Sequence, residues 1–164
     1  MKDALFWMGL FVASTIVAAG IAAWGLAGMI DRAERASLDY STQGLEAIGE
    51  LPIASLAHDA GCHVYLWVTH HMLPMGLALF EKWGVRYECV LTWNKPTAQP
   101  LWWAYTTEHA LFGKIGTLAP LVRGTPTGFT APQQRHSHKP DEFFDLVRRV
   151  SPGPRLTMYD DARD

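Results

Sequence analysis

The sequence predicts an α/β domain behind an N-terminal hydrophobic segment, and three stretches predict it. Residues 63–96, HVYLWVTHHMLPMGLALFEKWGVRYECVLTWNKP, change from strand to helical to strand composition. Residues 140–159 pass from an amphipathic helix to a short strand. Residues 4–30 contain no charged side chain at all.

The uncharged run from Ala4 to Ile30 exceeds the roughly 20 residues that span a bilayer core, and Trp7 and Trp24 lie near its ends. It reads as a membrane helix. A buried core segment with an inner strand over Phe11–Val17, or an anomalous gene start, are the alternatives. Arg32 and Arg35 follow the run and only Lys2 is basic before it, which puts the domain that follows in the cytoplasm by the positive-inside rule. The expected organisation is thus a hydrophobic segment over 1–30, a linker over 31–41 and one domain over 42–164.

Thr42 to Glu50 predicts a short helix closed by Pro52. His63–Thr69 is β-branched and aromatic, the composition of a strand buried on both faces. Leu73, Leu77, Leu79, Phe80 and Trp83 form a helical stripe, and Gly84 suits the C-terminal cap. Val85–Trp93 returns to strand composition until Lys95-Pro96, so the unit reads as a parallel βαβ crossover. Thr97–Thr107 is a Pro- and Trp-bearing loop, Glu108–Lys114 a third strand, and Thr117–His138 a long irregular connection. Pro140–Val150 predicts a helix with Phe143, Phe144, Val147 and Val150 apolar, and Arg155–Tyr159 a last strand.

The formal net charge of -2 excludes a polycation built for nucleic acid. From Lys82 to Arg155, however, ten Lys and Arg face five acids, a local excess that suits a phosphate-bearing ligand or a solvated basic face. Cys62 and Cys89 are not in a CxxC pair and read as structural thiols. No HExxH and no Cys/His set is present, so no metal site is expected.

Several segments in register then carry a resemblance: HVYLWVTHHMLP, EKWGVRYECVLTWNKP, TEHALFGKIG and HSHKPDEFFDLVRRVSPGPRL. From about Tyr40 to Tyr159 the chain resembles the MT-A70 family, the adenine-N6 methyltransferases of DNA and RNA. The resemblance implies a Rossmann-like S-adenosylmethionine methyltransferase sheet that accepts a flipped adenine. By position, Lys139 is implied to reach the cofactor's methionyl carboxylate, with Ser137 and His138 before it. A lysine at a helix start adds point charge to the helix's own N–H donors. Trp67, Thr69 and His70 fall in the turn beside the adenine pocket, His70 standing where the family more often has Asn or Ser. Glu108 is the candidate substrate carboxylate, and Lys95 a candidate contact to a nucleic-acid phosphate.

Two departures matter. The family's Asp-Pro-Pro-Trp, expected at the end of a central strand before the 42–56 helix, occurs nowhere, so the sheet is incomplete and no catalytic residue is assigned. Asp31 and Asp39 are not followed by proline. The family's arginine after the last strand is replaced by Asp161. Positioning the amine and dispersing its charge is where such catalysis comes from. The leading reading is therefore methyltransferase by descent, with S-adenosylmethionine as implied cofactor and adenine in DNA or RNA as implied partner. A working enzyme is the second reading. The third is a membrane-anchored, non-catalytic nucleic-acid-binding module, with Trp102, Trp103 and Tyr105 as a stacking platform, or a subunit whose partner chain completes the site.

Overall fold

The computed structural model describes residues 7–10, 45–96, 103–133 and 138–158. In chain order these form β1 (Trp7–Leu10), α1 (Leu45–Gly49), α2 (Ile53–Leu56), β2 (Gly61–Val68), a 3-10 turn (His70–Met72), α3 (Leu73–Lys82), β3 (Arg86–Asn94), β4 (Thr107–Gly116), β5 (Gly128–Thr130), α4 (Asp141–Val150) and β6 (Arg155–Met158). The described strands make one sheet in the order β5-β3-β4-β2-β1-β6.

β2 and β3 run parallel, as a βαβ unit requires, but they are not neighbours. β4 lies between them and is antiparallel to both. Composition reveals that a segment is a strand, not which way it runs, so the reversal of β4 was outside the expectation. β5 was also missed: three residues inside the long 117–138 connection pair with the end of β3, too few for a periodic signal.

The membrane helix expected over residues 4–30 is corrected at its start. Trp7–Leu10 is a strand, in register with Val64–Leu66 of β2 on one side and Arg155–Met158 of β6 on the other. An inner parallel strand needs apolar residues as much as a bilayer span does, so the composition did not discriminate. Among the described residues no helix is long and apolar enough to cross a membrane. The alternative strand over Phe11–Val17, the rest of the hydrophobic segment and the linker fall outside the described residues.

β2 is buried along its whole length because helices cover both faces. Val64, Leu66 and Val68 face α3, which approaches so closely that a Cβ on Gly76 would come within 2.7 Å of Leu111 and 2.9 Å of Val68. His63, Tyr65 and Trp67 face α4, whose Phe143 packs edge-on to Trp67 and Tyr65. Gly84 takes a φ of 67° after α3, where the helix cap needs a left-handed residue.

One polar cluster is sealed into this core. Tyr65 Oη lies 2.8 Å and His63 Nδ1 2.7 Å from Ser151 Oγ, while His63 Nε2 lies 3.1 Å from the Leu118 carbonyl. Every member thus has a partner, as burial demands. Burial pushes the His63 pKa down, the Leu118 bond opposing it and Lys114 adding to it; burial pushes Tyr65 up. Cys62 and Cys89 are both free, and burial raises the pKa of each thiol.

Two outcomes follow from this packing. A Cβ on Gly113 would sit 2.6 Å from Val85 Cγ1 and 2.7 Å from the Arg86 carbonyl, so Gly113→Ala is expected to lower stability by about 1–3 kcal/mol in urea unfolding. A neutral change there would contradict the packing. Because folding lowers the His63 pKa, the unfolded chain takes the proton first. Stability should be complete above the unfolded value of about 6.5 and fall as pH drops through it. His63→Gln should flatten that dependence between about pH 7 and pH 5.

Candidate functional site

Side chains on one face of the sheet meet at the edge where the parallel strands end, the edge at which open α/β sheets bind ligands. Register decides which. Trp93 lies opposite Glu108, and Trp67 opposite Ala110, two residues on from Glu108. Trp67, Trp93 and Glu108 therefore share the face that α4 covers.

Glu108 is the hub. Trp67 Nε1 donates to its Oε2 at 2.8 Å, and Lys95 Nζ to its Oε1 at 2.9 Å. Burial alone would raise the pKa of this carboxyl. The bonds from Trp67 and Lys95 and the charges of Lys95 and Lys139 more than offset it, holding Glu108 below the ordinary carboxylate range. It is an anion at neutral pH, with one carboxylate oxygen held by each donor. Lys95 Nζ also stands 5.8 Å from the Trp93 ring centroid.

The second cation comes from the far end of the chain. Lys139 is only 4% exposed, just before α4, with Nζ 5.3 Å from the Trp67 ring centroid. A buried ammonium beside a helix N-terminus places two positive features together, the electrostatics of a site for an anion. Thr69 Oγ1, at the end of β2, is buried without a hydrogen-bond partner among the described residues.

Of the residues named from sequence, Trp67, Glu108, Lys95 and Lys139 converge, Thr69 ends the strand beside them, and His138 is half-buried next to Lys139. Ser137 and Trp102 lie outside the described residues. His70 turns to the other face. Its Nε2 lies 2.8 Å from Thr107 Oγ1 and 3.1 Å from the Thr107 carbonyl, and its Nδ1 lies 3.4 Å from His109 Nε2. His109 Nδ1 in turn lies 3.2 Å from Thr92 Oγ1. The Tyr105 ring packs on His70 and His71, with centroids at 5.0 and 5.4 Å, while Trp103 is 74% exposed. Burial lowers the His109 pKa, the charge of His70 adds to this and Glu108 opposes it. Sequence reasoning missed His109 and Thr92. The signal available was strand alternation, which puts His109 on the face opposite Glu108.

A family model, MT-A70, matches residues 26–159. An N(6)-adenosine-methyltransferase MT-A70-like protein of Drosophila melanogaster is 29% identical over 128 residues, which cover 72% of this chain and 21% of the relative. The N(6)-adenosine-methyltransferase catalytic subunit METTL3 of Homo sapiens is 28% identical over 136 residues, with coverages of 72% and 22%. An N(6)-adenosine-methyltransferase MT-A70-like protein of Arabidopsis thaliana is 27% identical over 128 residues, with coverages of 72% and 18%. The chain spans about a fifth of the length of the curated relatives it matches.

Trp67→Phe keeps the ring against Phe143 and removes one of the two donors to Glu108. A hydrogen bond to a charged group is worth about 1.5–3 kcal/mol, and that loss is expected in unfolding at neutral pH. Since Glu108 is held low in the folded state, its contribution is present above the unfolded value of about 4.3 and fades as pH falls further. The gap between wild type and variant should narrow below that pH; a constant gap would mean the bond is not to the carboxylate.

Proposed function

The chain belongs to the MT-A70 family, and on that footing we propose that it is an S-adenosylmethionine-binding domain of adenine-N6 methyltransferase descent that has lost its own methyl transfer. The observation that carries the reading is the buried Lys139 at the start of α4, over Trp67 and across from Glu108.

The donor set fits the amino-acid end of such a cofactor. Lys139 and the first N–H groups of α4 would hold a carboxylate. Thr69 Oγ1, buried and unpartnered among the described residues, is a polar group awaiting a bond. When bound, S-adenosylmethionine supplies an electrophilic methyl on a sulfonium. The chain's own part is to bind and orient: Lys139 neutralises, Trp67 presents an aromatic face, and Glu108 offers an acceptor to an amine such as the exocyclic group of adenine in DNA or RNA. Lys95 fixes that acceptor. Names of the relatives as N(6)-adenosine-methyltransferases support the same substrate class.

Loss of transfer is argued from β1. It is an inner strand between β2 and β6, the family's Asp-Pro-Pro-Trp is expected at the end of an inner strand, and the sequence after β1 reads Phe11-Val12-Ala13-Ser14. Those four residues include no carboxylate, so the acceptor that the family's motif adds there is not supplied by them, and removing such a group costs orders of magnitude in rate. A partner chain that completes the site is compatible with this reading, since the chain spans only part of its relatives.

Titration calorimetry of the chain with S-adenosylmethionine should show binding. Lys139→Met, which keeps the buried stem, should weaken it about 10- to 100-fold, the worth of one charge-assisted hydrogen bond. Transfer of labelled methyl to adenine-containing DNA and RNA oligonucleotides should stay at background. Absence of binding at millimolar cofactor overturns the binding reading; sustained turnover overturns the loss.

A further inference from the structure

The chain Thr92–His109–His70–Thr107 lies on the α3 face of the sheet, and none of its hydrogen bonds reaches the Glu108 carboxylate. Its donors and acceptors can be satisfied both when the pair carries no added proton and when it carries one. With both rings neutral, Thr92 donates to His109 Nδ1, His109 Nε2–H donates to His70 Nδ1, and His70 Nε2–H donates to Thr107. With one added proton on His70, the middle reverses. His70 Nδ1–H donates to His109 Nε2, His109 carries its own proton on Nδ1 and donates it to Thr92 Oγ1, and His70 Nε2–H still donates to Thr107. Both states leave every ring nitrogen satisfied. A second added proton sets two N–H groups and two cations against each other across 3.4 Å, and no tautomer relieves it.

We propose that His70 is a positioning residue for the Glu108 site and that, with His109, it forms a proton relay that holds Thr107 when the pair carries no added proton or one, and releases it when the pair carries two. The proposal deepens the functional reading above, because Thr107 immediately precedes Glu108. Holding the Thr107 carbonyl and hydroxyl fixes the backbone that aims the Glu108 carboxylate at Trp67 and Lys95. The same backbone is tied from β3, where the Lys95 N–H donates to the Thr106 carbonyl at 2.7 Å. Tyr105, packed on His70 and His71, moves with it.

Among the described residues the titratable groups around the pair are few. The 3-10 turn contributes His71, the loop Tyr105, and β4 Glu108, whose charge acts on His109. Just after β3, Lys95 is occupied at Glu108. The first eight residues of α3, Leu73 to Phe80, bear no charge. Burial opposes the protonation of His109, and the charge of His70 adds to it.

The test is a histidine-ring NMR titration of the intact chain from about pH 8 to about pH 4.5, a range that covers ordinary histidine behaviour. His70 and His109 should behave as a coupled pair and not as two independent groups. His109→Gln should abolish that coupling. Thr92→Val should move the first step down, since it removes the acceptor that the singly protonated state needs. The positioning role is read at the Glu108 carboxyl carbon, whose resonance should shift with the second step in the wild type and not in His70→Asn. Two independent steps, each unchanged when the other ring is replaced, would overturn the relay. A Glu108 signal that ignores the second step would overturn the positioning role. All readouts are ligand-free, so a failure to bind S-adenosylmethionine overturns only the functional reading.

Discussion

β2 has no wet face, and most of what is known of this domain follows from that. Eight consecutive residues are buried between α3 and α4, so each polar atom among them must be answered from a named partner. Tyr65 and His63 are answered by Ser151 and Leu118, which bind the ends of α4 and the long connection to the strand. Trp67 is answered by Glu108. The indole N–H could not be left unpaired there without a cost of about 1–3 kcal/mol. The carboxylate that meets it is held in turn by Lys95. The candidate site is thus the wet end of a satisfied core, not an addition to it.

Charge is distributed across the sheet in a consistent way. On the α4 face an anion, Glu108, is flanked by two lysines, one just after β3 and one just before α4. On the α3 face two imidazoles share bonds with threonines. Residues 108 and 109 face opposite ways because strand side chains alternate, and one short strand end therefore serves both clusters. A shift of one residue in the β4 register would exchange them and leave a carboxylate against the apolar approach of α3.

Much of this was legible. The βαβ unit, the helix Asp141–Val150 and the last strand at Arg155 follow from periodicity and from Gly84 and Pro140 as punctuation. The grouping of Trp67, Lys95, Glu108 and Lys139 was legible only through family motifs, since these residues lie far apart in the chain and nothing in local composition joins them. The start of the uncharged run, Trp7–Leu10, misled, because a bilayer and an inner strand select the same side chains. The His70–His109 contact was not legible, for two histidines 39 residues apart become neighbours only when β4 is inserted beside β2.

By itself the sequence determined most of the element types, the apolar faces and the motif-level kinship, because these depend on residues close in the chain and on side-chain chemistry. The tertiary structure alone decided strand direction and order, and with them which titratable groups meet. Register is a global choice made by burying one face of every strand at once, and no local segment contains it.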